Sequence, residues 1–230
     1  MTTYKLLLSI DDLVLQSNSS DNLCIGRKVG DAFTTVFLDA AIKPKTAGQK
    51  SLGADNILKW LDKFRVFVAS PQPSPESLIE FVSNHVNIAF GQQAVLNSLP
   101  MFEAVSQAPA SDFTNPTGPE SSQDSFLARR IPKDLRVGIE MGLPDDRWTV
   151  IYVDNETHMT TSDIQITPRN EYIIFWKAKT TTNSAINLSQ IPDAYKFSFD
   201  KGADDISIRF GYAIPNRPDG RENPNFYPVV

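Results

Sequence analysis

With 230 residues, 41% of them apolar and 14 of them Phe, the chain is long enough to bury one large core or two small ones. Its net charge of −5, with acids and bases mixed along the chain, excludes the basic stripe with which nucleic-acid binders neutralise phosphates. A single cysteine, Cys24, excludes an internal disulfide and a cysteine-based zinc site.

The chain opens on Tyr4 to Ile10, an apolar stretch that predicts a first strand, with Leu13 to Leu15 as a short second one. Asp11 and Asp12 follow at once, so this start does not read as a secretory signal. No segment approaches the roughly 18 consecutive apolar residues of a membrane span. The expectation is a soluble cytoplasmic protein. Sixteen Pro against 11 Gly favour many short strands over long helices.

From Asn22 onward the chain resembles itself. Residues 22–30 (NLCIGRKVG) align with 134–142 (DLRVGIEMG), and Gly26 and Gly30 fall on Gly138 and Gly142. Phe33 to Asp39 then aligns with Trp148 to Asp154, after three extra residues in the second turn. Phe64 to Val68 answers Tyr172 to Trp176, and Val86 to Gly91 answers Ile206 to Gly211. Ile79 to Phe81 and Phe197 to Phe199 add one further strand each. Four blocks in one order predict an all-β fold of tandem duplicated β-sandwich-like modules in a pseudo-two-fold relation. The predicted boundaries are an N-terminal module over 1–96, an irregular linker over 97–133, and a C-terminal module with an extended tail over 134–230. Pro, Ser and acids dominate residues 107–124, a composition that buries little apolar surface.

The third block departs from the usual half-exposed strand. Tyr172, Ile174 and Trp176 face one way while Ile173 and Phe175 face the other, and Phe64, Val66 and Val68 oppose Arg65 and Phe67. Two apolar faces need two covers, supplied by the modules packing together, by the linker, or by a partner subunit. Gly26 and Gly138 are expected as bulges or close-packing points, and Gly30 and Gly142 as turn residues.

Candidate chemistry is sparse. There is no glycine-rich phosphate loop, no nucleophile elbow and no His-Glu-x-x-His spacing. Catalytic residues are therefore left unassigned, and no cofactor or metal is expected. Asp39 and Asp154 coincide at a strand end in the two copies, where aspartate either bonds the next turn or meets a ligand. Asp154, Glu156 and His158 form the densest ionisable cluster, beside the aromatic Trp148. Trp148, Asp154, His158 and Asp39 are thus the expected ligand-binding residues. His85 is a second isolated histidine, read as a solvated loop residue. Cys24, between Leu23 and Ile25, reads as a small buried hydrophobe. The proline-rich tail from Ile214 ends in Phe226, Tyr227 and Val229, apolar enough to cover an edge strand or to reach a neighbouring subunit.

These features predict a non-enzymatic binding or self-assembling protein, a homo-oligomer with contacts at the inter-module cleft. A cofactor-free enzyme of cyclase or isomerase type, enclosing a small apolar ligand, is the first alternative. A carbohydrate-binding module, with Trp60, Trp148 or Trp176 stacking on sugar rings, is the second. Neither a nucleic-acid partner nor a membrane span is expected.

Overall fold

A computed structural model describes residues 2–17, 21–44, 49–71, 79–114, 121–156, 160–178, 180–186, 191, 193–199, 202–215, 217 and 223–229. In chain order its strands begin with β1 (Thr3–Ile10), β2 (Asn22–Val29), β3 (Leu38–Ala41), β4 (Lys50–Ser51), β5 (Asp55–Ala69), β6 (Val86–Ile88), β7 (Gln92–Val95) and β8 (Ser106–Gln107). They continue with β9 (Phe126–Ile131), β10 (Arg136–Gly142), β11 (Trp148–Val153), β12 (Ser162–Ile166), β13 (Pro168–Lys177), β14 (Tyr195–Ser198), β15 (Asp205–Gly211) and β16 (Asn225–Pro228). The five-residue helix α1 (Asp12–Gln16) occupies the stretch expected as a second strand, with Val14 buried. The chain is all-β apart from α1 and two 3-10 turns among the described residues.

The strands form three mixed sheets. One runs β11-β10-β5-β1-β15-β16, with β6 also paired to β5; the second runs β14-β13-β2-β3-β4; the third runs β12-β9-β7-β8. β1 alternates cleanly, burying Tyr4, Leu6, Leu8 and Ile10 against the core while Lys5, Leu7 and Ser9 point outward. β16 completes the edge beside β15, which is the covering role anticipated for the tail. Residues 97–133, expected to be irregular, carry β8, a 3-10 turn and β9, and β9 lies between β12 and β7. Its Phe126, Leu127, Ala128 and Ile131 are buried, an apolar end to a segment whose Pro/Ser-rich middle dominates the composition.

Pairing runs between the halves of the chain. β2 and β3 form an antiparallel pair, as do β10 and β11. β13 pairs β2, however, and β5 pairs β10. In the first register Ile173 lies opposite Gly26, and in the second Phe67 lies opposite Gly138. Both glycines are close-packing points: a Cβ on Gly138 would overlap the Phe67 ring, and one on Gly26 would fall 3.1 Å from Ile173 Cγ1. Gly30, at φ 56°, is the turn residue its position predicts. Gly142 ends β10 instead of turning, and the Lys63 side chain fills the space beside it.

One large core unites the sheets, with Leu6, Phe37, Trp60, Val66, Ile139 and Tyr172 at its centre. The double apolar faces are real. Ile173 and Phe175 join Cys24, Val36 and Ile191 in a second cluster, and Phe67 and Ala69 join Ile79, Val150 and Val153 in a third. The covers are Val36, Ile79 and Ile191 together with Val150 and Val153 of β11. A charge crosses the large core. Arg27 of β2, only 2% exposed, donates to the Arg169 carbonyl at 2.9 Å, to Met141 Sδ at 3.0 Å and to Asp62 Oδ1 at 3.2 Å. Its guanidinium lies 5.2–6.0 Å from the ring centroids of Phe64, Tyr172 and Tyr4.

Candidate functional site

The segment Phe33–Asp39 was expected to be one strand like its counterpart Trp148–Asp154, but only its end is β3. Residues 34–37 instead run beside β11 and are tied to it through threonine. Thr35 Oγ1 donates to the Val150 carbonyl at 3.1 Å, Thr149 Oγ1 donates to the Phe37 carbonyl at 2.6 Å, and Thr34 Oγ1 accepts from Val153 N at 3.0 Å. Asn183, held at φ 64°, accepts the Val150 N–H through Oδ1 at 2.8 Å. Hydroxyls and an amide thus satisfy the outer edge of β11 where a neighbouring strand would otherwise sit.

This seam leaves a cleft of about 640 Å3 at its open end. Leu38, Asp39, Gln49 and Lys50 of the β3–β4 region form one wall, Ile57 to Lys59 of β5 the second, and Leu143, Pro144 and Arg147 to Thr149 the third, with Thr181 and Thr182 closing it. The turn before β11 is tight, closed by Leu143 N donating to the Arg147 carbonyl at 2.7 Å. Asp145 and Asp146 there both adopt the left-handed conformation that aspartate tolerates. The half-buried Trp148 ring is braced from β5, with the Arg65 guanidinium 3.9 Å and Lys63 Nζ 4.8 Å from its centroid.

Two of the four expected site residues, Trp148 and Asp39, line this cleft from different halves of the chain. The Asp39 carboxylate is fully engaged. It accepts from Thr182 N at 3.0 Å, Thr182 Oγ1 at 2.6 Å and Gln49 Nε2 at 2.7 Å, so it anchors the 181–182 loop. Asp154 lies at the far end of β11, about 20 Å along a strand of ~3.3 Å rise per residue. It is buried and accepts from Glu156 N at 2.9 Å and the Tyr152 hydroxyl at 3.4 Å. Burial, reinforced by the charges of Asp154 and Glu156, pushes the Tyr152 phenol well above its ordinary range. His158 lies outside the described residues.

The cleft's cations were not anticipated. The Lys50 ammonium donates to the Ile57 carbonyl, and burial together with the nearby Lys59 holds it below the ordinary lysine range. Lys59 makes no side-chain hydrogen bond or ion pair with any described residue. Arg147 stands 3.9 Å from the exposed Asp145. Lys50, Lys59 and Arg147 come from separate stretches of the sequence with no shared pattern, so only the fold brings these three together.

His85 is not a free loop histidine. Its Nδ1 lies 2.7 Å from Glu140 Oε2 and its ring stacks on Phe67 with centroids 5.2 Å apart. Cys24 is buried, and burial, with Asp39 nearby, drives its thiol far above the ordinary range, so it is inert as expected. Of the three tryptophans, Trp60 is fully buried and donates to the Tyr172 hydroxyl at 3.1 Å. Trp176 lines a second cavity of about 380 Å3 with Phe175, Phe210, Phe226, Val14 and Ile191. None of the three lies on a flat exposed face. Comparison of the chain with known protein families, with curated proteins and with solved structures finds no match.

Proposed function

We propose that the chain is a non-enzymatic binding protein that takes a small molecule in the cleft between its two halves. The observation that carries this reading is the 640 Å3 cleft itself, walled by β3 to β5 on one side and by the start of β11 on the other. Asp39, singled out by the sequence repeat, and the aromatic Trp148 line it from different halves of the chain. The finer architecture belongs to the same proposal. The β2–β3 and β10–β11 pairs, each completed by a strand from the opposite half, are what an internally duplicated, strand-exchanged pair of modules would leave. Proline- and serine-rich chain then connects the two.

Titration of 15N-labelled protein with a panel of aromatic, saccharide and acidic small molecules tests the cleft. Binders are expected to move the amide resonances of Leu38 and Thr182 and the Trp148 indole together, and to lose affinity in Trp148→Ala. Binders that move only residues elsewhere would overturn the assignment.

The aromatic cavity beside β13, β15 and β16 favours a second reading, an enzyme that encloses an apolar molecule without a cofactor. Its charged rim of Asp21, Lys177 and Asp193 would supply acid and base. Occupation of that cavity by an apolar compound that is then chemically altered would support it; binding without turnover would count against it.

A further inference from the structure

The lining of the cleft is net positive. The chain as a whole is acidic, at −5, yet Lys50, Lys59 and Arg147 line one cavity in which Asp39 is the single acid. That carboxylate accepts three hydrogen bonds from Thr182 and Gln49 and forms no ion pair with these cations. Lys59 has no ion-pair partner among the described residues, and the Arg147–Asp145 contact is long and exposed. Surface cations in an acidic protein normally find carboxylates; here the Lys50 and Lys59 charges oppose each other, and Arg147 lines the same cavity. An anion placed among them removes that repulsion and adds charge-assisted hydrogen bonds. Leu143, Pro144 and Trp148 add an apolar patch to the same lining.

Resting on the reading of this cleft as a binding site, we infer that its ligand is an organic oxyanion. A carboxylate or phosphate group would be held by Lys50, Lys59 and Arg147, with an apolar body laid against Trp148 and the Leu143–Pro144 turn. The carboxylate and the phosphate ester share this recognition chemistry, and the guanidinium of Arg147 suits either in bidentate geometry. Lys50 fits as the most responsive member. The same burial and Lys59 charge that hold its ammonium low are opposed by a bound anion, so its titration moves back up toward the ordinary lysine range on binding.

Three probes of matched size decide the matter: phenyl phosphate, benzoate and the neutral benzyl alcohol, each followed through the Trp148 indole and the Leu38 and Thr182 amides. Phenyl phosphate or benzoate is expected to bind at least about tenfold more tightly than benzyl alcohol, and to weaken as salt is raised. The ratio of the two acids identifies which head group the site prefers. The double variant Lys59→Glu, Arg147→Glu is expected to lower acid affinity by about tenfold or more and to leave benzyl alcohol unchanged. Both side chains are solvent-facing, and circular dichroism of the variant verifies that it folds. Equal binding of acid and alcohol, or an unaltered acid affinity in the folded double variant, overturns the oxyanion and leaves the cleft standing. If none of the three probes moves Trp148, Leu38 or Thr182, the cleft falls as well.

Discussion

Arg27 and Lys59 are both cations carried on strands of the same chain, and the molecule treats them in opposite ways. Arg27 crosses the large core, is 2% exposed, and has a carbonyl, a thioether, a carboxylate and three aromatic rings around it. Lys59 stands in an open cleft beside a second lysine with no carboxylate of its own. A buried charge persists only if its surroundings satisfy it, so Arg27's full set of partners marks it as structural. An exposed charge carries no such demand. What marks Lys59 is that no carboxylate among the described residues pairs with it to offset its repulsion with Lys50, which costs a little stability.

The sharpest way to break this contrast is to remove Arg27. Arg27→Ala leaves the Asp62 carboxylate without its ion pair and opens a void among Tyr4, Phe64 and Tyr172. The loss is expected to be about 3–5 kcal/mol, the range for breaking one side of a buried pair. Urea unfolding measures it. A loss below about 1 kcal/mol would place Arg27 with the surface cations and erase the difference between the two regions.

A smaller effect is expected one step away in the same core. Tyr172 accepts the Trp60 indole N–H, and Tyr172→Phe leaves that buried donor unsatisfied at a cost of about 1–3 kcal/mol. Tyr172 also carries a pH signature. Burial pushes its phenol up to about 12, above the unfolded value of about 10. The folded state therefore binds this proton more tightly, so its contribution is complete below pH ~10 and is lost as pH rises toward 12. Stability measured across that window should fall less steeply in Tyr172→Phe than in the parent protein. Parallel curves would show that Tyr172 is not the group responsible.

Much of the fold is visible in local pattern, and little of the site is. Period-2 alternation in Tyr4–Ile10 and the double apolar faces of Tyr172–Trp176 are local properties, so they survive into the structure. Gly26 and Gly138 as close-packing points are legible for the same reason. Partner choice is not local. β13 selects β2 across more than half the chain and β5 selects β10 across about 70 residues, pairings that only the packed core decides. Residues 34–37 mimic a strand because their apolar spacing is that of a strand; their backbone bonds with residues 183–186 and Ile25 instead, and threonine hydroxyls tie them to β11. Asp39 and Trp148 emerged because the repeat and an aromatic singled them out, whereas Asp154 shares that repeat but sits at the other end of β11. Lys50, Lys59 and Arg147 come from three separate segments, each unremarkable by itself, and Arg27 looks like any strand arginine until the aromatic rings close around it.

The finest test of the contrast lies in the cleft. Lys59→Gln removes one of two like charges without emptying any packed space. Global stability should change by no more than about 0.5 kcal/mol, with a stabilising sign, because an exposed like-charge pair is relieved and no partner is orphaned. The informative quantity is instead the titration of Lys50, followed by NMR of its side-chain methylene next to the ammonium. With Lys59 gone, only burial still holds Lys50 down, so its titration should move up toward the ordinary lysine range without reaching it. An unmoved Lys50 would mean that the two ammonium groups do not feel each other. The cleft would then hold separate surface lysines, with no shared positive field for a ligand to neutralise.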